Sequence, residues 1–157
     1  MSTIYLSQEG YDNLKTELKS LKSEERPRII NQIAEARDKG DLSENAEYDA
    51  AKEAQGLLEA RIAKLENDVA SARVLDHEDM DTSTVHLLTK VTIKNIANDM
   101  EMTYAIVSEA EADLSAKKIS VTSPIGRGLL GKAVGEIADI EVPNGIINFE
   151  IIKITTL

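Results

Sequence analysis

Between Glu35 and Tyr48 the chain reads Glu-Ala-Arg-Asp-Lys-Gly-Asp-Leu-Ser-Glu-Asn-Ala-Glu-Tyr, gathering carboxylates around Gly40 and two basic residues. Asp41 and Glu44 stand three apart across an expected turn-to-helix junction, so both side chains can converge on one point in solvent. Two carboxylates hold Mg²⁺ only weakly. That ion demands six oxygens in octahedral geometry and keeps its waters unless other ligands share the site. The pair therefore reads as half a metal site, waiting for ligands from elsewhere. Delivered into a centre that already holds one Mg²⁺, it could recruit a second ion and orient an attacking water. A freestanding glycosidase also uses two carboxylates. Such enzymes need a deep cleft and usually aromatic platforms, and this chain has no Trp and one Phe. The structural alternative is that acidic residues at a helix start meet its dipole, and Ser-x-x-Glu is a common capping arrangement. Against it, a protruding tip buries little, so its carboxylates gain little from packing. Arg37, Lys39 and Lys52 flank the tip. They read either as phosphate contacts or as ordinary charge interleaving on a solvated helix.

The elements that position this segment are long helices. Tyr11, Leu14, Leu18 and Leu21 recur at alternating three- and four-residue steps, the rhythm of a coiled-coil seam. Tyr48, Ala51, Gln55, Leu58, Ile62, Leu65, Val69 and Ala72 repeat it downstream. Laid antiparallel, Tyr11 faces Ala72, Leu14 faces Val69, Leu18 faces Leu65 and Leu21 faces Ile62, all about one midpoint between Asp41 and Leu42. The carboxylates thus crown the tip of a helical hairpin. Ser7 is the expected N-cap of the first helix, which should run to about residue 38. Its apolar phase lapses at Glu25 and resumes at Ile29 or Ile30, so a kink or restart is expected at Pro27. About 30 residues at 1.5 Å rise give an arm of roughly 45 Å. Gly40 is free to take positive φ in the turn, and Ser43 or Asp41 is expected to cap the second helix. Tyr48, on the seam, is expected to pack. That second helix should end between Ala72 and Leu75.

Composition bounds the rest. The 157 residues carry a formal charge of −10, which disfavours general nucleic-acid binding. Splitting at residue 80 gives 11 basic and 18 acidic residues before and 7 and 10 after, so no basic tail is hidden in the average. The absence of cysteine removes disulfide and thiolate chemistry. No signal-peptide core opens the chain and no apolar run could span a bilayer, so no membrane association and a cytoplasmic location are expected. A linker over 77–84 follows the hairpin domain of residues 1–76. Beyond it, Val85–Ile96, Glu101–Ser108, Lys118–Thr122, Glu136–Val142 and Ile146–Thr155 read as β-branched strands, and Pro143-Asn-Gly145 as a hairpin turn. Ser123 and Pro124 open one short helix. His77, His86 and Arg127 have no ligand-like or phosphate-loop companions. The fold class is α+β: a long antiparallel coiled-coil hairpin, then a small antiparallel β-sheet domain over residues 85–157 with one short helix.

The tip from Ala36 to Tyr48, followed by Ala50-Ala51 and Gln55-Gly56, resembles the signature of the GreA/GreB family of transcript cleavage factors. Ile119-Ser-Val-Thr-Ser-Pro-Ile-Gly-Arg-Gly-Leu-Leu-Gly-Lys132 resembles the family's second signature. The likeness spans essentially the whole chain in the right order. It implies an FKBP-like C-terminal domain that docks on bacterial RNA polymerase, and a hairpin that reaches the active centre through the secondary channel. By the same resemblance Asp41 and Glu44 help hold the second catalytic Mg²⁺, shared with the polymerase, while the protein has no cofactor of its own. Arg37 and Lys52 match positions contacting the nascent RNA 3′ segment. Lysine at position 52, where arginine is often found, lacks the bidentate phosphate fork. Ser123 and Pro124 match the polymerase-docking patch. Prolyl isomerase activity is not implied, because only Tyr104 and Phe149 could line such a pocket. The protein would be an accessory factor, a monomer, and no enzyme itself. The competing readings are a related inhibitory factor in the same channel and a passive coiled-coil adaptor.

Overall fold

The computed structural model describes residues 3–40, 44–76 and 80–157. The first helical arm begins with α1 (Gln8–Ser20) and ends with α2 (Arg26–Asp38). Between them Leu21–Glu25 forms a π turn, in which the Arg26 N–H reaches back five residues to the Leu21 carbonyl. The wider turn takes in one extra residue, which is what the apolar stripe requires in passing from Leu21 to Ile29. Burial selects Ile29, 5% exposed, over Ile30, 50% exposed. The irregularity thus precedes Pro27, which sits in the first turn of α2 where its missing N–H costs little. Backbone angles stay right-handed helical at Ser20 and Arg26 on either side.

The returning helix α3 (Ala46–Ser71) packs Leu58 and Ile62 with Ile29, flanked by Leu18, Leu21, Ile33 and Ala54. Ion pairs cross between the arms on the solvent side. Arg26 forks onto Glu59, with Nε and Nη2 each 2.9 Å from a carboxylate oxygen, and Arg61 grips Glu17. α3 ends at Ser71, slightly short of the expected stretch. Ala72–Val74 instead form a strand, β2, lying parallel to β1 (Ile4–Leu6). The pairing continues as the Leu75 N–H donates to the Leu6 carbonyl at 2.9 Å. Leu6 is fully buried there, and β-branched Ile4 and Val74 suit extended backbone.

The remaining strands are β3 (Thr89–Asn95), β4 (Glu101–Val107), β5 (Lys118–Ser120), β6 (Ile137–Val142) and β7 (Gly145–Thr156). They form one sheet in the order β5-β4-β3-β7-β6. Neighbours are antiparallel except β4 and β5, which run parallel, so the sheet is mostly antiparallel, as expected, with one parallel pair at its edge. β3 starts at Thr89 rather than Val85. Leu88 takes positive φ, and the Thr89 hydroxyl and N–H both donate to the His86 carbonyl, closing a turn ahead of the strand. The short helix α4 (Pro124–Leu129) covers a core of Val91, Ile93, Ile106, Leu129, Ile140 and Ile151.

Asp12–Ser71 make one compact unit, and the stretch ending at Tyr11 together with Ala72–Leu157 makes the other. The N-terminal stretch belongs with the sheet unit for two reasons. One is the β1–β2 pairing. The other is Glu111, which accepts from the Ser7 N–H at 3.2 Å and from the Ser7 hydroxyl, and lies 3.8 Å from the Lys118 ammonium. Ser7 caps α1 as expected, accepting from the Gly10 N–H at 3.0 Å. A side chain on Gly10 would overlap the Glu111 carboxyl, so glycine there is what lets the acid approach.

Candidate functional site at the hairpin bend

The chain reverses between Asp38, the last residue of α2, and Ala46, the first of α3. Gly40 takes φ +143°, in the range that favours glycine. Asp41, Leu42 and Ser43 lie outside the described residues, so the expected cap at Asp41 or Ser43 and the Asp41 half of the carboxylate pair do too. Glu44 is described, exposed, and stands immediately before the first residue of the cap.

That cap is Asn45. Its Oδ1 accepts from the Tyr48 N–H at 3.1 Å, satisfying one of the helix's free donors. Its Nδ2 donates to the Ala36 carbonyl at 2.6 Å, in the last turn of the opposing helix. One side chain therefore ties the end of one arm to the start of the other. Composition offered a clue: asparagine directly ahead of a helical pattern is a favoured N-cap. Nothing in the spacing announced the second bond, which depends on where the opposing helix ends.

Lys39 spans the same bend, its Nζ 2.9 Å from Glu47 Oε2. The hydrogen bond to Glu47 holds the Lys39 ammonium above its ordinary pKa. Glu47 and Asp49 lie in the first turn of α3, where the helix dipole favours them. Glu47 pairs with Lys39, and Glu44 shares with Lys39, Asn45, Ala46 and Glu47 an open hollow of about 410 Å³. Behind the bend, Ala36 and Ala51 are buried, which keeps small side chains between the arms near the tip. Tyr48 is half-buried, in keeping with a packing role.

Arg37 and Lys52 are both exposed near this end of the hairpin, and Lys52 Nζ donates to Gln55 Oε1 at 2.9 Å. Ser123 and Pro124 lie in the sheet unit, away from the bend in sequence. Ser123 Oγ accepts from the Gly126 N–H at 3.0 Å and donates to the Ser120 carbonyl at 2.6 Å, as an N-cap should. Pro124, the first residue of α4, keeps its ring exposed. The Ser123 hydroxyl is used internally and the residue is half-buried, while Pro124 is exposed.

The donor set suits a hard cation. Glu44 offers carboxylate oxygens, the ligand type Mg²⁺ takes. Among the described residues no three His, Cys, Asp or Glu side chains converge as a metal-holding group. A Glu44-based site therefore needs ligands from beyond those residues.

Known proteins give an independent comparison. Residues 4–74 match the family model described as "Transcription elongation factor, N-terminal", and residues 80–156 the one described as "Transcription elongation factor, GreA/GreB, C-term". The transcription elongation factor GreA of Flavobacterium johnsoniae is 63% identical over 151 residues, covering 96% of each chain. Its counterpart from Flavobacterium psychrophilum is 61% identical over 156 residues, covering 99% of each. A solved structure of the transcription factor Gfh1 is 27% identical with a TM-score of 0.49, covering 98% of this chain and 99% of that one.

Proposed function

Because the chain belongs to the GreA/GreB family of transcription elongation factors, we propose that its hairpin bend lends carboxylates to the catalytic centre of bacterial RNA polymerase. The factor enters the secondary channel and stimulates the polymerase's own hydrolysis of backtracked nascent RNA, rescuing arrested complexes. It acts as a single copy in the cytoplasm, as an accessory factor and not as an enzyme. The observation that carries this reading is the exposed Glu44 carboxylate at the bend, free of the Lys39–Glu47 pair that occupies its neighbour.

Asp41 and Glu44 would hold Mg²⁺ from one side, with the polymerase supplying the remaining ligands. When bound, a second ion activates a water and stabilises charge on the attacking and leaving oxygens. This chain's residues do the positioning. Glu44 presents its carboxylate at the bend, and Asp41 supplies the second carboxylate. Lys39 pairs with Glu47 across the bend. Arg37 and Lys52, both exposed, supply positive charge to the phosphates of the RNA 3′ segment. In the sheet unit Ser123 and Pro124 dock on the polymerase, with the Ser123 hydroxyl also fixing the turn that presents them.

The test is transcript cleavage by a stalled, backtracked polymerase with wild type, Asp41→Ala and Glu44→Ala. Each substitution is expected to lower cleavage by about a hundredfold, the scale of losing one preorganised charge-stabilising group. Binding to polymerase should persist. Cleavage equal to wild type in both variants would defeat the metal-sharing mechanism and leave the adaptor reading.

A further inference from the structure

From the two bonds made by one amide, we infer that Asn45 is a positioning residue for the Glu44 carboxylate, acting on metal recruitment through the bend and not merely capping a helix. The inference rests on the metal-sharing reading above. Its starting point is a division of labour within a single side chain. The Oδ1 bond to the Tyr48 N–H belongs to α3 alone, whereas the Nδ2 bond to the Ala36 carbonyl joins α3 to α2. The amide carries its acceptor and its donor on separate atoms, which lets it bond both helices at once with a reach that a serine hydroxyl lacks.

Glu44 is bonded in sequence to Asn45, so whatever fixes Asn45 against α2 fixes the backbone from which Glu44 projects. Among the described residues, two polar contacts cross the bend at this point. The Lys39–Glu47 pair is exposed on both sides, with 64% and 65% of the side chains open to solvent. A pair of that kind holds its geometry weakly and is screened by salt. The Asn45 bond is partly buried and uncharged, and Ala36, its acceptor, is 3% exposed. It therefore survives the ionic conditions that loosen the ion pair, and it sets the spacing of the two arms where the carboxylates leave them. The Ala36 carbonyl also accepts from the Lys39 N–H at 3.2 Å, so the same atom anchors the chain entering the turn. Residues that orient metal-binding carboxylates in this way change metal affinity although they touch no metal.

Capping and positioning separate by substitution. Asn45→Ser keeps an N-cap oxygen for Tyr48 but has no amide to reach Ala36. Asn45→Asp keeps the cap too, and sets a carboxylate oxygen against the Ala36 carbonyl. Two measurements on the complex of full-length factor with backtracked polymerase decide the matter. One is Mn²⁺ affinity, followed by the electron paramagnetic resonance of the free ion. The other is the Mg²⁺ dependence of cleavage at saturating factor. For Asn45→Ser we expect Mn²⁺ affinity about tenfold weaker and a half-saturating Mg²⁺ concentration raised about tenfold. Helicity and polymerase binding should match wild type, and Asn45→Asp should show the same direction of change in cleavage. Wild-type Mn²⁺ affinity and Mg²⁺ dependence in Asn45→Ser overturn the assignment and leave Asn45 a cap. A Glu44→Ala control separates the two levels. If it cleaves normally, Glu44 holds no metal and this inference fails; if Asp41→Ala does so as well, the metal-sharing reading fails with it. If it does not cleave and Asn45→Ser behaves as wild type, the inference alone fails.

Discussion

Gly56 lies inside α3, exposed, with nothing within 4 Å of the place a side chain would occupy. Its cost is entropic, since glycine gives up more backbone freedom in a helix than alanine does. Gly56→Ala should therefore stabilise the protein by about 0.5–1 kcal/mol, read as a higher midpoint in thermal or denaturant unfolding. Gly126 is the opposite case. It is buried in α4, and a β-carbon there would collide with the Ser120 carbonyl, the same oxygen that receives the Ser123 hydroxyl. Gly126→Ala should cost about 2–3 kcal/mol as the backbone shifts to make room. The two substitutions are chemically identical, and only the space around each decides the sign. The Asn45 amide belongs to this scale as well: an asparagine ahead of a helix advertises a cap, while its second partner was set by the fold.

Among the elements, the hairpin is where the sequence spoke most clearly. The seam positions Leu18, Leu21, Leu58 and Ile62 all pack in one cluster with Ile29, as their spacing required. The interruption near Pro27 was legible as a lapse of phase, but its form was not. A skipped residue can be absorbed by a kink, a break or a π turn, and the choice rests on local backbone energies that apolar periodicity does not record. The strand Ala72–Val74 was invisible for a similar reason. Its residues continue a helical pattern, and only the presence of Ile4–Leu6 beside it makes extended backbone the better solution. In the sheet, β-branched runs and turn residues located all five strands. The parallel β4–β5 pair was not readable, because alternation along a strand does not encode the direction of its neighbour. At the bend, Glu44 could be placed from spacing alone. A thin two-helix core should also be sensitive to truncation. Ile62 is 2% exposed, and Ile62→Ala should cost about 2–3 kcal/mol by equilibrium unfolding, at the lower end of the range because a slender core can partly collapse.

For the molecule as a whole, charge and connectivity matter more than any single packing contact. At a formal −10 the protein carries no excess of positive charge to draw it onto bare nucleic acid, so contacts such as Arg37 and Lys52 act locally, within a site held by a partner. The N-terminal stretch is fastened to the sheet unit through Glu111, a buried acid with the Ser7 N–H and hydroxyl and the Lys118 ammonium around it. Glu111→Ala removes that acceptor and leaves Lys118 without its buried partner. A loss of about 2–3 kcal/mol is expected, below the full cost of breaking a deeply buried pair because Lys118 keeps 15% of its side chain in solvent. Faster amide exchange at Ile4, Tyr5 and Leu6 would locate the loss. The β1–β2 pair has a wider consequence. By joining residue 4 to residue 72 it turns everything between them into a closed ring, so even a melted arm stays tethered at both feet while the sheet survives. Such a ring has fewer open conformations to lose on refolding. The two short strands work as a drawstring: they let a slender lever be remade in place after each thermal excursion.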